Sequence, residues 1–308
     1  MSTTSPRTDR PLISTDPGGR VILSTDIGYD PDDTFALIAA AHQIEDLIVI
    51  TTDEIGGQRA KLARRLLDTL GRNDVEVIEG IDLGGQRWFV PAPDQPISEA
   101  PESAAGADLE RAQTWVGRVL DLVLDTSHPV RWVGCGPMSE LSALLTVAPD
   151  LAEQIIVTQM GGALDHPRTP EHAEHNLATN PLAAGVALRI LPAPHLVLAD
   201  HTEHPTIRLT PDTPLIQTLD SDTAPEWARL TSEHFHRWVA RGYTGSWMHD
   251  PLALTAALGH PFVSFAETRI RIGEDARLYR DPYGRTMKLS HSVDYEAFLA
   301  WLYKVISW

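Results

Sequence analysis

Runs that are β-prone and apolar on both faces recur down the first two thirds of the chain, each followed by a segment of helical period. The strand candidates are Val21–Ser24, Leu47–Thr51, Val75–Glu79, Val130–Val133 and Ile155–Gln159, with a weaker one at His195–Leu198. Asp33–Gln43, Gln58–Leu70, Leu109–Leu124, Ser139–Val147 and Pro181–Ile190 place apolar residues three and four apart between them. A strand with no polar face needs cover on both sides. The pattern therefore predicts an α/β fold: a mainly parallel central sheet with helices on both faces. Beyond Asp200 the chain is less regular, with helical patterns at Ala224–Trp238 and Pro251–Leu258. A β-like stretch at Phe262–Ile272 and an amphipathic helix at Val293–Ile306 follow. One domain over residues 21–308 is expected, behind a polar, mobile leader at 1–20 rich in Ser, Thr, Pro and Asp.

Composition excludes several classes. A net charge of −17 argues against a nucleic-acid partner, which needs a basic face. One cysteine, Cys135, rules out an intrachain disulfide and a Cys-rich zinc site. No apolar run approaches the roughly 20 residues that span a bilayer, and no signal-peptide core opens the chain. A cytoplasmic protein with no membrane partner is the expectation.

Ligand sites in parallel sheets gather at the carboxyl ends of the strands. There the first strand runs into Asp26-Ile-Gly28-Tyr-Asp30-Pro-Asp32-Asp33, four aspartates within eight residues, directly before an apolar helix. Carboxylates so crowded repel one another and resist desolvation unless a hard cation neutralises them, and Ca²⁺ or Mg²⁺ suits such oxygen donors. An ordinary acidic turn with Asp32 or Asp33 capping the helix fits the same residues. Cys135-Gly136-Pro137 and Met160-Gly161-Gly162 also fall at strand ends. Two long connections, Ile81 to Ala107 and Ala163 to Asn180, are candidates for functional loops. The second carries His166, His172 and His175.

Four segments in order carry a resemblance: Asp26-Ile-Gly28…Asp32-Asp33, Val133-Gly-Cys135-Gly136-Pro137, Met160-Gly161-Gly162-Ala163 with Glu174-His175-Asn176, and His249-Asp250-Pro251 opening a helix. Together they resemble the inosine–uridine-type nucleoside hydrolases over roughly residues 20 to 305. The resemblance implies Ca²⁺ at the carboxyl ends of the strands and hydrolysis of the N-glycosidic bond of a ribonucleoside by a Ca-bound water. It implies Asp26 as metal ligand and general base, and Asp33 and Asp250 as further metal ligands. Cys135 would offer its backbone carbonyl to the metal. Asp32, Glu174 and Asn176 would bind the ribose, His175 would sit near its 5′ end, and His249 would assist the leaving base. Relatives of this kind are often homodimers or homotetramers.

The chain departs from that pattern in places. Ser24 stands where relatives carry a further aspartate, and the turn from Asp26 to Asp32 is two residues longer, which lets Asp30 compete as a ligand. Asp53-Glu54-Ile55-Gly56-Gly57-Gln58 replaces an Ala-Gly-Asn turn, leaving Gln58 or Glu54 to substitute for the asparagine. Trp88 and Trp247 are candidates for stacking on a base. Two other readings stay open: a non-catalytic nucleoside- or sugar-binding member of the same fold, and a metal-dependent phosphoryl hydrolase. The latter needs a Lys or Arg beside the acidic turn, and Arg59 and Arg64 come only on the following helix.

Overall fold

A computed structural model describes residues 19–85, 87–91, 105–126 and 128–308, with the side chains of 105–114 left aside. Its strands are β1 (Val21–Thr25), β2 (Leu47–Thr51), β3 (Glu76–Ile78), β4 (Val130–Gly134), β5 (Ile155–Met160), β6 (His195–Val197), β7 (Arg208–Leu209), β8 (Ser246–Trp247), β9 (Val263–Ile272), β10 (Leu278–Arg280) and β11 (Arg285–Val293). Nine of them form one sheet in the order β10-β9-β11-β6-β5-β4-β1-β2-β3. From β3 to β11 neighbouring strands are parallel, and β9 and β10 add an antiparallel edge. The alternation of β1 shows why both faces need cover. Val21 and Leu23 enter one hydrophobic cluster, whereas Ile22 enters the other.

From β1 the chain steps outward through β2 and β3, then returns to lay β4 on the other flank of β1. The connections after β1 and β4 thus leave in opposite directions, which opens a crevice at their carboxyl ends. The acidic turn lies there. The helix after it, Asp32–Gln43, is buried from Asp32 through Ala41, which its small and apolar residues permit. It packs against the helix His249–Ala257. Asp32 and Asp33 lie in the first turn of one helix and Asp250 in that of the other, where unpaired backbone N–H groups favour negative charge.

Sequence periodicity located most elements to within a few residues, but not all. The helix expected at Leu109–Leu124 begins at Ala105, and that expected at Pro251–Leu258 begins at His249, so His249 and Asp250 are themselves helical. The final helix starts at Tyr295, because 285–293 belong to β11, paired in register with β9. That pairing is made by residues far from the site, and its half-exposed strands lack an apolar run. The leader at 1–20 lies outside the described residues except for Gly19 and Arg20, as does most of the connection 81–107. Among the described residues no helix is long and apolar enough to cross a membrane.

One buried histidine ties the acidic turn to the helix Glu226–Ala240. His234 has Nδ1 2.9 Å from Thr34 Oγ1 and Nε2 3.1 Å from the Tyr29 carbonyl. A carbonyl only accepts, so Nε2 carries the ring proton and Nδ1 accepts from the threonine; the neutral ring is fully satisfied. Burial pushes His234 down to about 4. The unfolded chain takes up this proton below about pH 6.5, the folded chain only near 4. Stability from this group is therefore complete above pH 6.5 and falls as pH drops toward 4, by about 3 kcal/mol in all. Urea unfolding of the wild type and His234→Gln is expected to show a stability difference that narrows between pH 7.5 and pH 5. The other groups titrate in both proteins, so a pH-independent difference would refute this account.

Candidate active site

A cavity of about 610 Å³ opens at the carboxyl ends of the central strands. Its lining includes Asp26, Asp30, Asp32, Asp33, Cys135, Glu174, His175, Asn176, His249 and Asp250. Every residue expected to catalyse, bind substrate or hold metal thus reaches one space. Asp32, Asp33 and Asp250 are each 3% exposed, and one carboxylate oxygen from each lies within 4.8 Å of the others. The Asp250 backbone N–H donates to Asp32 Oδ2 at 3.3 Å. Among the described residues none of the three forms an ion pair. Burial first, then the neighbouring carboxylates, raise all three well above the usual range. Hard oxygen donors, buried and unneutralised, fit a divalent cation of the Ca²⁺ or Mg²⁺ type. Asp32 belongs to this trio by geometry, whereas the Asp26 carboxylate stands outside it. The Cys135 thiol is buried and pushed well up, so it is not a thiolate nucleophile at neutral pH.

Asp26 is 4% exposed and its carboxyl is raised by burial, against which the charges of Arg59 and His175 act. His175 Nε2 is 3.9 Å from Asp26 Oδ2, and its ring stacks on Tyr29. Asp30 also faces the cavity, accepts from Ser246 Oγ, and is pushed up to about 7 by burial. Gly28, at φ +104°, makes this turn possible; a Cβ there would lie 2.5 Å from the Phe89 ring.

The loop after β5 brings up the remaining polar groups. Glu174 caps the helix His175–Thr179 by accepting from the Asn176 N–H at 3.1 Å, and its other oxygen accepts from the Gly162 N–H at 2.9 Å. Asn176 is buried and donates from Nδ2 to the Met160 carbonyl at 3.1 Å. Gly162 has φ +80°, and a Cβ there would meet Leu278 at 2.7 Å, so backbone proximity explains this glycine. His249 sits with Nδ1 2.6 Å from Thr202 Oγ1, and burial pushes it down to about 3. His172 and Trp247 line the cavity; His166 and Trp88 do not.

The turn that replaces Ala-Gly-Asn works differently from expectation. Neither Glu54 nor Gln58 reaches the cavity. Glu54 instead accepts from Thr51 Oγ1 and from the N–H groups of Ile55 and Ala60. Arg59, 1% exposed, turns back toward the acidic turn. Its Nη1 donates to the carbonyls of Asp26 and Ile27, the latter at 3.0 Å, and its Nε to the Asp53 carbonyl at 2.8 Å. Nη2 lies 3.7 Å from the buried Asp53 carboxylate, which Arg87 also pairs. Arg59 therefore braces the turn from behind, with its donors consumed by protein and none facing the cavity as a phosphate clamp would. Sequence reasoning missed this brace, and it missed Tyr29, Trp238 and Tyr243 on the cavity wall. A basic residue one position into a helix gave no signal of which way it reaches.

The model of the inosine–uridine preferring nucleoside hydrolase family matches residues 21–300. A pyrimidine-specific ribonucleoside hydrolase of Shewanella woodyi is 26% identical over 249 residues, covering 76% of this chain and 77% of its own. Its counterpart in Photobacterium profundum is also 26% identical over 249 residues, covering 76% of this chain and 78% of its own. Among solved structures, the purine-preferring ribonucleoside hydrolase of Gardnerella vaginalis superposes with a TM-score of 0.72 at 22% identity, over 93% of this chain and 98% of that one. The inosine–uridine preferring hydrolase of Bacillus anthracis gives 0.70 at 17%, over 94% and 99%. Fold, cavity and family match agree: the chain belongs to the inosine–uridine preferring nucleoside hydrolase family.

Proposed function

We propose that the protein hydrolyses the C1′–N bond of a ribonucleoside or related N-ribosyl compound, with Ca²⁺ as its cofactor. The observation that carries this reading is the convergence, in one cavity, of the buried Asp32–Asp33–Asp250 trio with Asp26, Glu174, Asn176 and His249. Asp32, Asp33 and Asp250 would hold the cation, and the family resemblance adds the Cys135 carbonyl as a further donor. When bound, the cation supplies charge neutralisation for the carboxylates, lowers the pKa of water and orients the ribose hydroxyls.

The protein's own groups do the rest. Asp26 accepts the proton of the attacking water at a carboxylate oxygen. A base whose pKa is raised by burial is better matched to neutral pH than a free carboxylate. The C1′–O bond forms as the C1′–N bond breaks, and the electron pair of the latter leaves on the aglycone nitrogen. A base that departs as an anion takes its proton from solvent, to which Asp26 passes the proton it took from water. A pyridinium aglycone leaves as the neutral ring. Positive charge develops on the ribosyl ring in between, and the surrounding carboxylates stabilise it. Asn176 and Glu174 hold ribose hydroxyls, and Asp30 joins them from the acidic turn. His249 is neutral at physiological pH, because charging it in this buried place is costly. His249 Nδ1 shares a 2.6 Å hydrogen bond with Thr202 Oγ1; in the tautomer in which the hydroxyl donates, the ring proton sits on Nε2. His249 then offers the departing aglycone a hydrogen bond as a neutral imidazole.

Cation binding is testable without turnover. Saturating Ca²⁺ at 100 times its Kd stabilises the native state by about 2.7 kcal/mol, which is ~4 °C in a chain of this size. Calorimetric melting with Ca²⁺ and with chelator should differ by that amount, and ribose release should vanish with chelator. Asp33→Asn should abolish the shift. Equal melting temperatures in Ca²⁺ and chelator would remove the cation from this reading.

A further inference from the structure

The cavity is acidic beneath the ribose position but basic along another part of its wall. Arg168, Arg208 and Trp247 line it together, with the two guanidinium carbons 5.0 and 4.7 Å from the centroid of the Trp247 ring. The Trp247 ring lies 6.1 Å from that of His249, placing this group beside the residue that faces the leaving aglycone. Arg208 Nε and Trp247 Nε1 are both buried, and neither has a hydrogen-bond partner. Both atoms are sealed from solvent, so what a ligand in the cavity meets is the rest of the Arg168 and Arg208 side chains, which line it. Arg168 has only a 3.7 Å pairing with Glu203, and Arg208 forms no ion pair among the described residues. These two arginines are thus cations facing a cavity whose other charges are carboxylates.

From this arrangement, which rests on the hydrolase reading for the direction of the ribose, we infer that the preferred substrate carries an oxyanion on its aglycone: a flat heterocycle bearing a carboxylate. The carboxylate pairs with the guanidinium groups of Arg208 and Arg168, which already lie over the Trp247 ring. Guanidinium groups suit this task because their planar donor forks match a carboxylate. A neutral aglycone would leave the two guanidinium charges on the cavity wall unmatched, and a site built around donors discriminates against ligands that lack the acceptor. The same donors would accept a phosphate, so an anion at the ribose 5′ position is the competing source.

The test compares nicotinate riboside with nicotinamide riboside, which differ only in carboxylate against carboxamide, and uridine 5′-monophosphate with uridine. Ribose or ribose phosphate release is measured with wild type, Arg208→Gln and Arg168→Gln, each checked for native melting. The wild type is expected to favour the carboxylate by about 10- to 100-fold in kcat/KM. That ratio should fall toward one in Arg208→Gln and shrink in Arg168→Gln. Hydrolysis with no carboxylate preference, a ratio unchanged in both variants, or a preference that follows the 5′-phosphate instead would overturn the inference while leaving the hydrolase reading intact. Absence of release from all four compounds would instead count against hydrolysis. Calorimetric titration with the two ribosides then decides the inference by itself. Tighter binding of the carboxylate, lost in Arg208→Gln, supports it, and equal or absent binding refutes it.

Discussion

Asp26→Asn is expected to lower kcat for ribose release by about 10²–10⁴-fold, with folding and cation binding largely preserved. The side chain keeps its shape and loses its ability to take a proton. Asp26 stands outside the trio whose oxygens lie within 4.8 Å, so the variant should still show the Ca²⁺-dependent rise in melting temperature. Its position does the chemical work: it is buried at the end of β1, beside His175 and above the Arg59 brace. A KM change without a kcat change would instead make Asp26 a binding residue only. The pairing of readouts separates the two cases, since a collapse of the whole site would remove the thermal shift as well.

Arg59→Leu should destabilise the protein by about 3–5 kcal/mol in urea unfolding, the loss expected when buried carbonyls are left without their charged donor at about 1–3 kcal/mol each. Three backbone carbonyls lose their donor at once, while the Asp53 carboxylate keeps Arg87 as its partner. Leucine fills part of the volume, so the effect comes from unpaired polar groups more than from a cavity. Arg59→Lys retains the charge but reaches fewer acceptors, and an intermediate loss is expected. The acidic turn depends on the same bonds, which predicts a further consequence. In the lysine variant, activity should fall more than stability alone explains. A leucine variant as stable as wild type would show that the brace is incidental.

The parallel sheet was legible because β1, β2, β4 and β5 carry apolar residues on both faces, and no other architecture covers such strands. The candidate site was legible for a related reason. Four aspartates at a strand end have few explanations, and Glu174, Asn176, His249 and Asp250 come in a specific order with them. What stayed hidden is what depends on long-range direction. Arg59 reads as an ordinary charged residue of an amphipathic helix, yet it is among the largest fully buried side chains. The two-residue extension of the turn made Asp30 and Asp32 interchangeable on paper. Only the fold puts Asp32 beside Asp250 and Asp30 beside Ser246. Arg208 and Trp247 come together because the short strands β7 and β8 pair, with Arg208 opposite Trp247 in register. Two-residue strands leave no periodic signal, so the pairing of Arg208 with Trp247 was invisible in the sequence, although Trp247 alone stood out as a candidate.

The most direct test of the central claim is ribose release from a panel of purine, pyrimidine and carboxylate-bearing N-ribosyl compounds, with free base and free ribose quantified together. Hydrolysis of the C1′–N bond yields the two in equal amounts, in Ca²⁺ and not in chelator. Folded protein that shows the Ca²⁺-dependent thermal shift yet releases neither product from any compound would contradict the claim, leaving a binding protein built on this fold.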